Sequence, residues 1–184
     1  MPQSLVQFDT GVYRAVNGGL THELWDPFML LVSSNQFWAT VLISAFAWAF
    51  FRHRTRWIKI LTVLTFTFAL SDLLCAYVLK PWFQRVRPCH YMEDARRVNG
   101  ICGSEFGMPS SHAANGMTAA VIVSFFAPGV WPAGVAAAAV SLTGFSRVYL
   151  GVHFPGDVLI GYFFGLVFGS GGTWLAYLWT KEKT

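Results

Sequence analysis

The stretch that decides the fold runs from Val158 to Trp179 and reads VLIGYFFGLVFGSGGTWLAYLW. It contains no charged residue and is longer than the roughly 20 residues that a helix needs to cross a bilayer. In lipid, each backbone N–H and C=O must be satisfied within the protein, and a helix does this inside one segment. We therefore expect a membrane-spanning helix here, closed by the cations Lys181 and Lys183.

Four more apolar stretches lie upstream of this one. Spans are predicted over Asp26–Phe51, Ile58–Leu79, Pro109–Phe126 and Ala133–Val148. In the first of these, the polar patch Ser33-Ser34-Asn35-Gln36 marks the point near which the true span is expected to begin. A tight turn at Pro128, Gly129 and Pro132 is expected between the third and the fourth.

Residues 1–25 have no apolar run long enough to span a membrane. The apolar stripe Leu5, Val6, Phe8, Val12, Tyr13 and Val16 predicts a helix that lies in the membrane interface, or one packed on the surface of the bundle. The predicted fold is therefore all-α: one domain over residues 1–184, a polytopic bundle of five or six spans, five in our count, with an N-terminal interfacial helix.

Composition supports this fold and argues against other classes. Hydrophobic residues make up 54% of the 184 residues and charged residues only 12%, which is too apolar for a soluble domain of this size. The net charge is +4, and the basic residues lie at the ends of apolar runs and beside Pro and His, not on a polar face. Nucleic acid is therefore excluded as a partner, and the bilayer itself is the expected solvent.

Charge also bears on orientation. The short loop with Arg52, Arg54, Arg56 and Lys59 is expected in the cytoplasm, as is the C-terminus. With five spans, loops 80–108 and 151–156 then lie together outside, although loop 80–108 is itself basic and leaves a pure charge count ambiguous. Cys89 and Cys102 lie in this outer loop; they form a disulfide if the compartment is oxidising and stay as two thiols otherwise.

Three polar clusters meet at this outer side. They are Lys80-Pro-Trp-Phe-Gln-Arg-Val-Arg87-Pro88, Pro109-Ser110-Ser111-His112, and Ser146-Arg147 followed after five residues by His153-Phe-Pro-Gly-Asp157. The cations Lys80, Arg87 and Arg147 would repel one another unless an anion lay between them, and guanidinium forks suit phosphate. The N–H groups of Ser110, Ser111 and His112, at the start of a helix, would add an anion site. The clusters predict a cradle for a phosphoryl group.

Two histidines would act on that group. Asp157 lies four residues after His153, where a carboxylate can hold one ring nitrogen and leave the other free to attack. His112 is then expected to serve as general acid and later to activate water. No spacing of His, Asp and Glu suggests a two-metal site, so we expect neither metal nor cofactor.

These clusters resemble the three signature motifs of the type 2 phosphatidic acid phosphatase superfamily. Its pattern is Lys-x6-Arg-Pro, then Pro-Ser-Gly-His, then Ser-Arg-x5-His-x3-Asp; Ser111 stands where Gly is usual. The resemblance implies that Lys80, Arg87, Ser110 and Arg147 bind phosphate. It also implies that His112 is the acid, His153 the nucleophile and Asp157 its partner.

The resemblance further implies a lipid phosphate substrate and an enzyme of the bacterial inner membrane, with its site facing the periplasm or exterior. Similarity to small bacterial undecaprenyl-diphosphatases makes undecaprenyl diphosphate the leading expectation. Phosphatidylglycerol phosphate, phosphatidic acid and the 1-phosphate of lipid A stay open, as do phosphotransfer to an acceptor lipid and non-enzymatic transport of lipid phosphates. The motifs leave the oligomeric state open.

Other polar residues are expected to have lesser roles. Asp72 is expected to be a hydrogen-bonded strut inside the bundle. Residues of the outer loop are expected to touch a head group or simply to be solvated; these are Arg85, His90, Glu93, Asp94, Arg96, Arg97 and Glu105.

Overall fold

The computed structural model describes residues 2–127 and 129–181, and within these ranges the regular structure is helical. The longer helices are α1 (Gln3–Asn17), α2 (Asp26–Val32), α3 (Asn35–Phe51), α4 (Thr55–Leu74), α7 (Ser111–Phe126), α8 (Val130–Tyr149) and α9 (Pro155–Lys181). A π-helical turn (Cys75–Leu79) joins α4 to α5 (Lys80–Phe83), and the outer loop holds α6 (Pro88–Tyr91) and a 3-10 turn (Val98–Gly100). The all-α prediction is confirmed.

The length and composition of the described helices identify two spans on their own. These are Thr55–Phe83 and Pro155–Lys181, with a third if α2 and α3, which meet at a 52° bend, count as one. The bend falls at Ser33 and Ser34, and Ser34 caps α3 by accepting a hydrogen bond from the Phe37 N–H. The long apolar helix α3 begins at this polar patch, because the serine side chain satisfies a free N–H there.

Helices α7 and α8 cover the third and fourth predicted spans, but neither is among the helices whose length and hydropathy are sufficient for a membrane crossing. Helix α7 has 16 residues, fewer than the roughly 20 of a straight crossing. Helix α8 begins at Val130, so Pro132 lies in its first turn rather than in the predicted connecting turn. Proline is tolerated there because first-turn N–H groups have no helical partner. Pro128, from the same predicted turn, and Lys183 lie outside the described residues.

The second span also differs from the prediction. The helix does not stop at Leu79 but continues through Lys80 to Phe83, so that Lys80 lies one turn before the end of the helix. Gln84 then takes a left-handed conformation (φ 49°) that ends it. This extension places the Lys80 side chain on a rigid element instead of a loop.

Helices α7 and α9 pack closely, and glycines allow it. A Cβ on Gly161 would lie 2.6 Å from the Ser110 carbonyl oxygen, and one on Gly165 would collide with the Ala114 carbonyl and lie 2.7 Å from the Met117 Cβ. Small residues let helix backbones approach in this way within membranes. Helix α4 packs against both, around Ile60, Leu64, Ile122 and Ala176.

The bundle has a basic end and a loop end. At the basic end, Lys59 donates to the Trp179 carbonyl at 3.0 Å, and the Arg56 guanidinium lies 5.7 Å from the Phe126 ring centroid. At the loop end lie residues 84–110 and 150–154, where Cys89 and Cys102 form a disulfide with a Cα–Cα distance of 5.8 Å. The cations of the loop between α3 and α4 thus lie at the opposite end of the bundle from the motif residues.

Helix α1 lies across the loop end. It buries Tyr13 and Asn17 against α8 and the outer loop, with Asn17 donating to the carbonyls of Tyr149 and Arg96. It exposes Leu5 and Phe8, at 57% and 72%. The helix is therefore packed on the bundle and keeps apolar side chains on its outer face, while its position in a membrane interface stays a prediction.

The close approach of α7 and α9 at Gly165 predicts an effect on stability. Gly165→Ala should lower the thermal midpoint of detergent-solubilised protein, because overpacking of this kind costs about 1–3 kcal/mol. Gly171→Ala is the matched control, since a Cβ there meets nothing within 4 Å. Equal midpoints for the two variants would contradict close α7–α9 packing.

Candidate active site

Four elements at the loop end bring the predicted site residues together. Arg87 lies in the extended segment before α6, Ser110 is the N-cap of α7, Arg147 lies in the last turn of α8, and His153 and Asp157 bracket the start of α9. The Ser110 N–H donates to the Asp157 carbonyl at 3.0 Å, so the starts of α7 and α9 are joined directly.

Asp157 faces one nitrogen of the His153 ring. Its Oδ2 lies 3.3 Å from His153 Nδ1 and also accepts the Phe154 N–H at 3.0 Å. Asp157 is fully buried and His153 is 1% exposed. A buried carboxylate in this position fixes the orientation of the imidazole and keeps a proton on Nδ1.

Arg87 faces the other nitrogen. Its Nη1 lies 2.6 Å from His153 Nε2 and 3.0 Å from the Val152 carbonyl oxygen, while its Nε donates to the Ser104 carbonyl at 2.6 Å. A guanidinium can only donate, so Nε2 is the acceptor and carries the lone pair. Burial, reinforced by the charges of Arg87 and Arg147, lowers the pKa of His153 well below its usual value. The ring is therefore neutral, with Nε2 directed toward the cations.

Two buried polar atoms at this point have no protein partner among the described residues. They are the Ser110 Oγ and the Arg147 Nε, whereas Arg147 Nη1 donates to the Ser33 Oγ. The N–H groups of the first turn of α7 also lack helical acceptors. Since buried donors are normally satisfied, the arrangement fits an anion held between Arg147 and the start of α7.

Lys80 and His112 complete the group. Both lie close enough to His153 for their charges to act on its pKa, and the His112 ring lies against the Ser33 backbone. Lys80, His112 and Arg147 are partly exposed, while Arg87, Ser110 and His153 are buried. The site is therefore accessible at Lys80, His112 and Arg147.

One predicted phosphate contact has a different environment. The Ser111 hydroxyl faces the Cys75 thiol on the π-helical turn. Its backbone N–H, in the first turn of α7, is then the group that Ser111 would offer to an anion.

The structure adds residues that the sequence analysis did not assign to the site. Arg85 is not a solvated loop residue: its Nη1 donates to Asp157 Oδ1 at 3.0 Å. The sequence contained an indication of this, because side chains two residues apart in extended backbone lie on the same face. Arg85 is two residues before Arg87 and so shares its face. Ser33 and Gly107 had no such signal. A Cβ on Gly107 would lie 2.9 Å from Asp157 Oδ2, so only glycine leaves room for the carboxylate.

Asp72 also differs from its prediction. Its side chain is exposed rather than buried in the bundle, and it accepts a hydrogen bond from Asn115 at 2.9 Å. It is a strut between α4 and α7, but one on the surface of the helices.

Comparisons with known proteins agree with this geometry. The model of the PAP2 superfamily matches residues 61–183. A lipid A 4′-phosphatase of Bacteroides thetaiotaomicron is 30% identical over 195 residues, covering 100% of this chain and 82% of the relative. Its counterpart in Porphyromonas gingivalis is 26% identical over 189 residues, covering 97% of this chain and 77% of the relative.

A solved structure supports the fold. The crystal structure of a transmembrane PAP2-type phosphatidylglycerolphosphate phosphatase from Bacillus subtilis matches with a TM-score of 0.75 at 24% identity, over 98% of this chain and 88% of that one. The resemblance in the three motifs, the family match and the shared membrane fold agree. This chain belongs to the PAP2 superfamily, as an integral-membrane lipid phosphatase.

Proposed function

We propose that the chain hydrolyses a lipid phosphate through a phosphohistidine formed on Nε2 of His153. The observation that carries this is the placement of the ring, with Asp157 on Nδ1 and the lone pair of Nε2 toward Arg87. The phosphoryl group would take the position in front of Nε2, where Arg87 and Arg147 would each bind its oxygens. Arg87 would then exchange its hydrogen bond to Nε2 for one to phosphate.

The first chemical step forms the phosphoenzyme. Nε2 of His153 attacks phosphorus, the bond from phosphorus to the lipid oxygen breaks, and His112 gives its proton to the departing oxygen. Asp157 stabilises the positive charge that develops on the ring. The negative charge of the bound substrate would stabilise the protonated form of His112 in the complex.

The second step releases phosphate. His112, now neutral, takes a proton from water, the water oxygen attacks phosphorus, and the bond from phosphorus to Nε2 breaks. Inorganic phosphate leaves and both histidines return to their starting state. Lys80, Arg87 and Arg147 neutralise the equatorial oxygens throughout, a role that metal ions fill in other phosphatases.

We place the site on the outer side of a bacterial inner membrane, at the loop end of five spans formed by α2–α3, α4–α5, α7, α8 and α9. Two features support this. The cations Arg52, Arg54 and Arg56 lie at the opposite end, where the positive-inside rule favours the cytoplasm. The disulfide lies at the loop end, and such bonds persist in oxidising compartments. The substrate would be a lipid whose head group faces outward.

We propose lipid A as the substrate class in preference to undecaprenyl diphosphate. The support comes from the two relatives that align over essentially the whole chain, both lipid A 4′-phosphatases. The expectation of undecaprenyl diphosphate rested on the Cys-containing loop and the Ser-Ser-His motif. Neither feature determines which lipid is bound.

Hydrolysis is tested with purified protein in detergent and EDTA. Phosphate release should be measured from lipid A, undecaprenyl diphosphate, phosphatidylglycerol phosphate and phosphatidic acid, and should be fastest from lipid A. His153→Ala should lower kcat at least about 10⁴-fold, because the nucleophile is gone. His90→Ala, an exposed histidine of the outer loop, is the matched control and should leave kcat unchanged. A strict requirement for magnesium, or full activity in His153→Ala, would refute the mechanism.

Vanadate should inhibit competitively at millimolar concentration or below. It adopts the five-coordinate geometry of the phosphoryl transition state, which the site is built to bind. Arg147→Ala should weaken this inhibition more than it raises KM, since the cation acts most on the developing charge. Indifference of the wild-type enzyme to vanadate would count against the proposed pocket.

The neutral state of His153 predicts how stability depends on pH. The folded protein holds the pKa of His153 well below the ordinary value of 6.5, whereas the unfolded chain takes up a proton near that value. The unfolded state therefore binds more protons below pH 6.5, and the free energy of unfolding falls as the pH drops through that value. Thermal midpoints at about pH 7.5 and about pH 5.5 should differ less in His153→Gln than in wild type. An equal difference would mean that His153 is not held neutral.

A further inference from the structure

The second oxygen of Asp157 is held by a chain of contacts that ends on α1. Asp157 Oδ1 accepts from Arg85 Nη1 at 3.0 Å, and Arg85 Nη2 pairs with Asp9 Oδ2 at 2.5 Å. The other oxygen of Asp9 accepts the Gly156 N–H at 2.8 Å. Asp9, on α1, thus contacts both the cation that holds Asp157 and the backbone one residue before it.

These are not surface ion pairs. The side chains of Arg85 and Asp9 are 15% and 13% exposed, and that of Asp157 is 0% exposed. The Arg85 guanidinium also lies over the Phe154 ring, 4.3 Å from its centroid. Exposed pairs contribute little, but a desolvated and hydrogen-bonded network loses much more when one member is removed. The network is also built to orient, because a planar guanidinium fork holds two carboxylates at a defined angle.

Helix α1 has a second ion pair that makes a useful contrast. Arg14 pairs with Asp94 of the outer loop at 2.7 Å, with side chains 62% and 51% exposed. This pair also ties α1 to the loop end, but it does not touch Arg85, Asp157 or Gly156. Variants of the two pairs can therefore distinguish an effect of attaching α1 to the bundle from an effect of orienting Asp157.

We propose that Asp9 and Arg85 are positioning residues of the active site, which act through Asp157 to orient His153. The proposal rests on the proposed function, in which Asp157 holds the nucleophile. It assigns the N-terminal helix a part in catalysis, in addition to its place on the outer face of the bundle.

The contacts explain how such an effect would arise. Asp157 Oδ2 contacts both the Phe154 N–H and His153 Nδ1, the latter at 3.3 Å. A small rotation of the carboxylate would therefore break its contact with the His153 ring. Arg85 on Oδ1 opposes that rotation, and Asp9 fixes Arg85. Without Asp9 the guanidinium keeps a single carboxylate and can swing with it.

The experiment compares kcat and KM of wild type, Asp9→Asn, Arg85→Gln and Arg85→Lys on whichever lipid the wild type hydrolyses. Asp9→Asn and Arg85→Gln should lower kcat roughly 10- to 100-fold, because small misplacements of a reacting group have effects of this size. KM should change by less than about threefold, since neither residue is in contact with the phosphate. Arg85→Lys, which keeps the charge but not the fork, should recover part of the loss.

The pH profile of kcat gives a readout that a purely structural role would not move. Asp157 is faced by Arg85, Arg87, Asp9 and His153. Arg85→Gln removes the cation that contacts Asp157 Oδ1, so the acid limb of the profile should move in this variant. Asp9→Asn leaves that cation in place and should move the limb less.

Arg14→Gln is the matched control and should keep the kcat of wild type. The inference is overturned if Asp9→Asn and Arg85→Gln keep wild-type kcat and pH profile, or if Arg14→Gln loses as much as they do. If Asp9→Asn unfolds in detergent, Arg85→Lys against Arg14→Gln decides the same question. Lack of phosphate release by wild type, or activity in His153→Ala, would overturn the proposed function instead, so the two failures are distinct.

Discussion

The structure depends on one buried contact, the imidazole of His153 between the Arg87 guanidinium and the Asp157 carboxylate. A cation on Nε2 and an anion on Nδ1 fix the tautomer of a neutral, buried ring. Such a pairing is stable only if each charged partner is satisfied in turn. Arg87 therefore also donates to carbonyls of two loops, and Asp157 also accepts from Arg85 and the Phe154 backbone.

The membrane helices serve this contact by bringing their ends together. Ser110 donates to the Asp157 carbonyl only because α7 and α9 approach so closely that a Cβ on Gly161 would overlap the Ser110 carbonyl. The same approach places the first turn of α7, whose N–H groups have no helical acceptor, near the His153 ring. The glycines that pack these helices thus also bring the starts of α7 and α9 together.

Charge is distributed to leave a position for an anion. Asp157 is neutralised by Arg85, whereas the buried Arg147 Nε and the buried Ser110 Oγ have no hydrogen-bond partner among the described residues. Positive charge is thus balanced by carboxylates on the Nδ1 side of the His153 ring and is less balanced on the Nε2 side. Phosphate is the ligand that such a gradient favours.

The sequence by itself determined the fold class and the motif residues. Runs of apolar residues longer than a bilayer crossing allow only helices, and the fixed spacing of His153 and Asp157 places them one turn apart. Tertiary structure decided what local spacing does not encode. Arg85 joins Asp157 to Asp9 across more than 70 positions, Ser33 holds Arg147 from a bend in another helix, and Lys80 stands on a helix that was expected to end before it. Those contacts depend on which helix ends meet in space, and that is set by packing between helices, not by any single segment.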